Sequence, residues 1–284
     1  MEIKRSIDIE NFIWQKLILG LDKKRQGIHA SDLIYPKKAY WQRISPLPPT
    51  REEVMYWLSG QSHERIFLHI SDLKHGGARQ WEGIWFSPDI MFDFPVELKT
   101  TRRGYVVKEG EEAEKYKHYL KQLSYYCAMT NSTKGWLVVW YLTMITNNQN
   151  TAPDLFAYEV NYTEKELENI RQDLLCLKNN LITAIDKRNP DSLPDCDAFL
   201  CYETINVMTD KPVCFTCNKE FQTDWGINKH IESNSGKGHH VRYAIYERHK
   251  KPKCKYAQFC KPEIVEGYKE ALEKGIFDEK EGDF

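Results

Sequence analysis

The chain has 284 residues, is 41% hydrophobic and 13% aromatic, and carries a formal net charge of -1. That apolar content supports a substantial core and excludes an intrinsically disordered chain. No uninterrupted apolar run is long enough for a bilayer span, and the opening residues MEIKRSIDIENF lack a charged-then-apolar secretion pattern, so an intracellular protein without a membrane partner is expected.

Apolar residues at helical spacing predict a helix over 9–21, followed by a basic loop with Lys23, Lys24 and Arg25. A second helix is expected from Ala30, with Ser31 as its cap. After a loop over 46–50, residues 51–70 predict one long helix interrupted around Gly60. Segments 79–85, 89–92 and 95–101 alternate like strands, with Asp93 as a turn residue before the last. An acidic stretch then leads into a helix over 116–130. Strands follow over 134–146 and 155–161, and a helix over 163–187 opens with Thr163 and Glu166 in a capping box. This order indicates a mixed α/β sandwich, with a first domain over 1–190.

Past Pro190 the texture changes. Residues 191–261 are dense in Cys, His and Lys and poor in aliphatic side chains, so a bound metal is expected to supply what a core would. An acidic tail or helix follows over 262–284. The near-neutral total thus hides basic stretches at 23–43 and 229–255. Lys37, Lys38, Arg102 and Arg103 are candidates for contact with a polyanionic substrate.

The segment SPDIMFDFPVELKTTRR carries the chemistry. On a strand Glu97 and Lys99 share a face while Leu98 points to the core, and a tight hairpin brings Asp89 beside them. Two carboxylates and an ammonium suit a divalent metal plus a base or charge stabiliser, as phosphodiester hydrolysis needs. An isolated Glu-x-Lys triplet is more often an exposed ion pair. Here His63 precedes it in LSGQSHERIF, and Gln122 and Tyr126 follow on one helical face in YLKQLSYYCAM.

In that ordered set the chain resembles the PD-(D/E)XK nucleases, in particular the RecB-like branch of AddB nuclease domains and CRISPR-adaptation exonucleases. Pro88-Asp89 with Glu97-Leu98-Lys99 matches the naming motif, His63 the G-x-x-H-E histidine, and Gln122 with Tyr126 the Q-x-x-x-Y motif. The resemblance implies a restriction-endonuclease-like central mixed β-sheet flanked by helices. It also implies that His63, Asp89, Glu97 and the Leu98 carbonyl bind Mn2+ or Mg2+, that Lys99 activates water and stabilises the phosphorane, and that Gln122 and Tyr126 position the substrate strand. A histidine beside two carboxylates favours Mn2+.

Cys214-Phe-Thr-Cys217, followed by Phe221, Ile227 and His230, has the spacing of a Cys/His zinc finger over about 212–242. Its fourth Zn2+ ligand, His239 or His240, comes later than usual, so a loop must deliver it. Cys196, Cys201, Cys254 and Cys260 bracket the finger. The family often carries a 4Fe-4S cluster on four cysteines, and KCKYAQFC resembles its last two ligands. Tyr35-Pro36 stands where the early cysteine is expected, so Cys196 is assigned its place, with a cysteine-only zinc site or reduced structural thiols as the alternatives. Cys127 and Cys176 read as core. Aromatic residues among the basic ones, Tyr35, Tyr40, Trp41 and Tyr243, could stack on bases or sit in the core.

The function expected is a DNA exonuclease on single strands or duplex ends, beside a helicase or a recombination or adaptation partner. The alternatives are a silent nucleic-acid-binding module and a sequence-specific endonuclease whose finger reads bases.

Overall fold

The computed structural model describes residues 6–21, 26–101, 104–105, 107, 110–146, 149–197, 201–214, 216–234 and 241–274. Lys23, Lys24, Arg25, Arg102, Arg103, His239 and His240 lie outside them. The chain divides into two compact units, residues 1–195 and 196–284.

The first unit opens with α1 (Ile7–Leu21), β1 (Ile28–His29), α2 (Ala30–Ile34), α3 (Pro36–Ile44) and α4 (Arg51–Ser71). The cap of α2 is His29, two residues before Ser31. The Asp32 carboxylate accepts the His29 N–H at 2.8 Å and is held in turn by Arg43 at 2.7 Å. Tyr35, preceding a proline, leaves the helical region at φ -133°, ψ 68°, and Pro36 restarts the helix where its missing N–H costs nothing. Thr50 and Glu53 form a reciprocal capping box on α4, which then runs unbroken through Gly60. The expected interruption is absent because glycine weakens a helix by only about 1 kcal/mol and keeps its backbone hydrogen bonds.

Next come β2 (Arg79–Trp81), β3 (Ile84–Phe86), β4 (Ile90–Met91), β5 (Pro95–Thr101) and β6 (Gly104–Tyr105). The segment read as one strand over 79–85 is a hairpin. Glu82 and Gly83 both take positive φ, 46° and 77°, the geometry of a two-residue turn whose twist matches its strands. Then follow α5 (Glu112–Lys115), α6 (Lys117–Thr130), β7 (Lys134–Tyr141), β8 (Met144–Thr146), β9 (Gln149–Thr151), β10 (Asp154–Asn161) and α7 (Glu164–Lys187). The apolar run over 134–146 is divided as well: β7 ends at Tyr141, and β8 joins a separate sheet ordered β6-β8-β9.

The main sheet has the order β10-β7-β5-β4, with β5 and β7 parallel and both outer pairs antiparallel. A parallel pair needs a crossover, and α6 supplies it. One sheet face packs with α6 and α7 through Leu123, Leu137, Val139, Leu174 and Leu181. On the other, Val96, Leu98 and Val138 meet Phe67 and Leu68 of α4. This is a mixed sheet flanked by helices, the fold class expected from the resemblance. A side chain at Gly135 would sit 2.7 Å from the Cys127 sulfur, so the glycine permits α6 to lie close on β7. Cys127 is core, whereas Cys176 is exposed, because it lies on the outer side of α7.

The second unit contains β11 (Tyr202–Asp210), β12 (Val213–Cys214), β13 (Lys219–Glu220), α8 (Asp224–Ser233), β14 (Val241–Arg242), β15 (Ile245–Pro252), α9 (Ala257–Cys260) and α10 (Pro262–Glu273). β11 and β15 form a long antiparallel ribbon, and the Cys/His hairpin and helix are spliced between its strands. Ile205 of the ribbon packs with Tyr268, Ala271 and Leu272 of α10 in a small cluster.

Candidate active site and metal sites

β4 and β5 form the floor of the first site. Asp89, just before β4, accepts the Leu98 N–H through one carboxylate oxygen at 2.7 Å, which locks the hairpin. Glu97 is 0% exposed. A wholly buried glutamate is rare without a partner. The Lys99 ammonium lies against one of its oxygens, and no hydrogen-bond donor among the described residues meets the other. Lys99 also donates to the Gln122 side-chain carbonyl at 3.2 Å, and the Gln122 amide donates to the Tyr126 hydroxyl at 2.8 Å. Because the tyrosine hydroxyl accepts the NH2 end, the amide oxygen is turned toward Lys99. Gln122 and Tyr126 are four residues apart on α6 and therefore stacked one turn above the other.

Two residues not singled out by the sequence reading join this group. Glu64 follows His63 on α4, and its carboxylate is 3.5 Å from the His75 ring. The His75 Nδ1 accepts the Gly77 N–H at 2.9 Å, the Gly76 N–H donates to the Asp89 carbonyl, and His75 bridges Ile90. The loop 75–77 is thereby stitched to the strand that carries Asp89. The only sequence hint was position: an acid beside the motif histidine and a His-Gly-Gly turn before the hairpin.

The electrostatics follow from this crowding. Burial raises the carboxyl of Glu97 to about 8, against the pull of Lys99 and with a further push from Asp89 and Glu64. Burial also raises Asp89 and Glu64, the latter with Asp89 adding repulsion. For Lys99 burial works against the charge, but Glu97 and Asp89 outweigh it and hold the ammonium above its ordinary value. Three acids that resist ionisation together, around one lysine, make a site short of positive charge. An orphaned buried carboxylate oxygen at its centre would be relieved by a cation, although among the described residues no three ligand atoms of His63, Glu64, Asp89 and Glu97 lie within 4.8 Å of one another.

His63 lies on the same helix as Glu64. Its Nδ1–H donates to the Ser59 carbonyl at 2.6 Å, and its ring meets Trp140 edge-on with centroids 5.6 Å apart, which leaves Nε2 as the available nitrogen. No carboxylate is within ion-pair distance of it among the described residues. Lys37 is paired with Asp195 at 2.6 Å, and Lys38 is half-buried. Of the aromatic residues, Tyr40 is core, Tyr35 bonds His118, and Tyr243 is exposed.

In the second unit the ligand atoms of Cys214, Cys217 and His230 all lie within 4.8 Å of one another. The Cys217 sulfur is 3.4 Å from His230 Nε2. Thr223 caps α8 and aims His230 back at the β12–β13 turn, while Cys214 and Ile227 are fully buried beneath it. Two soft thiolates and an imidazole at that spacing fit Zn2+. In the other cysteine set, the Cys201 carbonyl accepts the N–H groups of Lys253 and Cys254, and the Cys254 carbonyl accepts that of Ala257 at the start of the turn carrying Cys260. These bonds join the backbones of Cys201 and Cys254, Cys260 follows within one short helix, and Cys196 is half-buried. Among the described residues these four sulfurs are not drawn to single-ion distance.

No helix among the described residues is long and apolar enough to cross a membrane. No protein-family model and no curated protein matches the chain. Among solved structures, a phage-related exonuclease from Haemophilus somnus 129PT is similar over 56% of this chain and 83% of its own, with 10% identity and a TM-score of 0.38. An alkaline exonuclease from Laribacter hongkongensis is similar over 61% and 95%, with 13% identity and a TM-score of 0.37. The same exonuclease in complex with dAMP is similar over 57% and 91%, with 12% identity and a TM-score of 0.33. At these scores the likeness assigns no activity.

Proposed function

We propose that this chain is a metal-dependent DNA nuclease of the PD-(D/E)XK type, RecB-like, acting as an exonuclease on single strands or duplex ends. The observation that supports it most is the wholly buried Glu97, with one carboxylate oxygen lacking a donor, set between Asp89 and Lys99. A structural ion pair has no reason to bury Glu97 completely and to set two further carboxylates that repel it, Asp89 and Glu64, beside the same lysine, because each resists ionisation without added positive charge.

In this reading Asp89, Glu97 and the Leu98 carbonyl, with His63 through its Nε2, hold Mn2+ or Mg2+, and Glu64 adds a further oxygen. The ion's chemistry is to polarise the phosphate and acidify a water. The chain's own residues do the rest. Lys99, fixed between Glu97 and Gln122, presents its ammonium to the attacking water and to charge building on the phosphate. Gln122 and Tyr126 hold Lys99 in that direction. Cys214, Cys217 and His230, with His239 or His240, bind Zn2+, and Cys196, Cys201, Cys254 and Cys260 carry a 4Fe-4S cluster. A brown protein with visible absorption would separate that cluster from a colourless zinc site.

The test uses end-labelled single- and double-stranded DNA, blocked at either end, with Mn2+ or Mg2+, comparing the native protein with Lys99→Ala. Cleavage by the native protein alone is expected, and the product ladder reads the polarity. Equal cleavage by both proteins, or none under any condition, overturns the assignment, and cleavage of closed circles replaces the exonuclease with an endonuclease.

A further inference from the structure

The ribbon of the second unit has two unlike faces. Directly opposed residues of an antiparallel pair project to the same side, and alternate residues project to opposite sides. Tyr202 pairs with Pro252, Thr204 with Lys250 and Met208 with Tyr246, while Glu203 pairs with Lys251 and Ile205 with His249. One face therefore carries Tyr202, Thr204, Tyr246, Arg248 and Lys250, and the other carries Glu203, Ile205, Glu247, His249 and Lys251. The second face is the one that Ile205 packs onto α10, and it bears both glutamates of the two strands. The first face carries none within its regular ladder.

The first face is open. Tyr246 is 47% exposed, and Thr204, Arg248 and Lys250 are exposed. Lys250 rests over the Tyr202 ring at 4.8 Å. Among the described residues no carboxylate pairs with Arg248 or Lys250, whereas His249 on the covered face meets Glu247 at 3.5 Å. Unpaired cations beside an exposed tyrosine, on a two-stranded platform, match a ligand that offers phosphates and free ring faces together. A duplex offers the phosphates but keeps its ring faces stacked.

We propose that this open ribbon face is a binding platform for single-stranded nucleic acid, with Tyr246 stacking on an unpaired base and Arg248 and Lys250 contacting phosphates. The inference deepens the nuclease reading by naming the strand state that the second unit grips, and it rests on that reading only for its purpose. Arg242 and the finger helix continue from the same ribbon, which gives the bound strand a path toward Tyr243, itself exposed and bonded to Asn228 at 3.0 Å.

The test measures binding of fluorescent oligo(dT), oligo(U) and a blunt duplex of equal length to the full, zinc-loaded chain, without added Mn2+ or Mg2+ so that cleavage is idle. Oligo(dT) should bind more tightly than the duplex, and equal binding of oligo(U) would place the recognition in base and phosphate rather than sugar. Tyr246→Ala should weaken oligo(dT) binding about tenfold or more, and Tyr246→Phe should retain it. Removing both Arg248 and Lys250 should lower the slope of log affinity against log salt by roughly 1.4, at about 0.7 per single-strand phosphate contact. Lys251→Gln, which removes the same charge from the covered face, should weaken binding far less than Lys250→Gln. All these positions except Lys251 are exposed, and unchanged circular dichroism verifies the fold.

Equal losses from Lys250→Gln and Lys251→Gln, no loss from Tyr246→Ala, or preference for the duplex overturns the platform. The two readings separate cleanly. Face-specific binding in a protein that cleaves nothing sinks the nuclease and keeps the platform, and cleavage with face-blind binding does the reverse.

Discussion

The two units of this chain reach order by different physical routes. In residues 1–195 a sheet is buried on both faces, so the site's charged residues are held by the packing around them: Glu97 and Lys99 are fixed because Val96 and Leu98 between and beside them are locked under α4. In residues 196–284 the apolar inventory is thinner: Tyr268 and Ala271 form the buried part of one cluster, Tyr256, Ala257 and Ile264 are buried near it in sequence, and Ile227 lies with Cys214 beneath the Cys/His group. There the side chains that chemistry needs are the ones that must make the fold. The difference teaches that a polar site can be strained only where something else supplies the stability. The first unit can afford repelling acids, and the second has to satisfy its ligands.

Chelation should break the comparison most visibly. Structural zinc binding is worth about 10–16 kcal/mol in small fingers, so a strong chelator should abolish amide protection in β12 through α8 while β7 and α7 keep theirs. Hydrogen exchange followed by mass spectrometry reads both at once, and retained protection in α8 would show that its packing suffices without metal. Lys99→Ala tests the opposite unit. It should lower Mn2+-dependent cleavage by on the order of 10³-fold, with the exchange pattern of the second unit unchanged.

Core truncation sharpens the contrast in energy. Leu137→Ala, at a fully buried position of the main sheet, should cost about 2–5 kcal/mol by denaturant titration of the first unit. Ile227→Ala should shift the zinc-loaded second unit by less, and its effect should vanish once zinc is removed, because the helix it supports has then lost its order. Smaller still is Tyr126→Phe, which frees Gln122 to turn. With one hydrogen bond of about 1 kcal/mol lost, kcat should fall several-fold at constant KM. A rise in KM instead would assign Gln122 and Tyr126 to direct substrate contact.

The mildest test is alkaline. Burial first, then hydrogen bonds to Tyr141 and Tyr158, hold the Tyr116 hydroxyl far above its ordinary value, and burial raises Tyr125 and Tyr162 as well. Their folded values exceed the unfolded ones, so the stability they contribute is complete below about pH 10 and is lost as the pH rises beyond it. Absorbance at alkaline pH should show these tyrosines ionising only together with unfolding of the first unit. Smooth titration in the folded protein would contradict the burial.

Much of the first unit was legible because its signals are local. The Thr163–Glu166 box, the strand over 155–161 and the Asp89-to-Lys99 hairpin each depend on residues within a few positions. The failures were also local, but decided by geometry the letters do not carry. Glu82-Gly83 turned a strand into a hairpin through positive φ, Gly60 failed to break a helix whose other hydrogen bonds held, and Cys176 fell on the outer side of α7. The ribbon was missed because β11 and β15 pair across the whole finger, and long-range pairing leaves no periodic mark of its own.

The residues themselves determined which groups could do chemistry, since side-chain type and spacing fix charge, donors and metal preference. Tertiary structure decided which of those groups meet. It brought Glu64 and His75 to Asp89, turned the Gln122 amide toward Lys99, and put Glu203 and Glu247 on one ribbon face and Arg248 and Lys250 on the other. Burial and repulsion depend on what surrounds a residue in space, and only the folded chain specifies that.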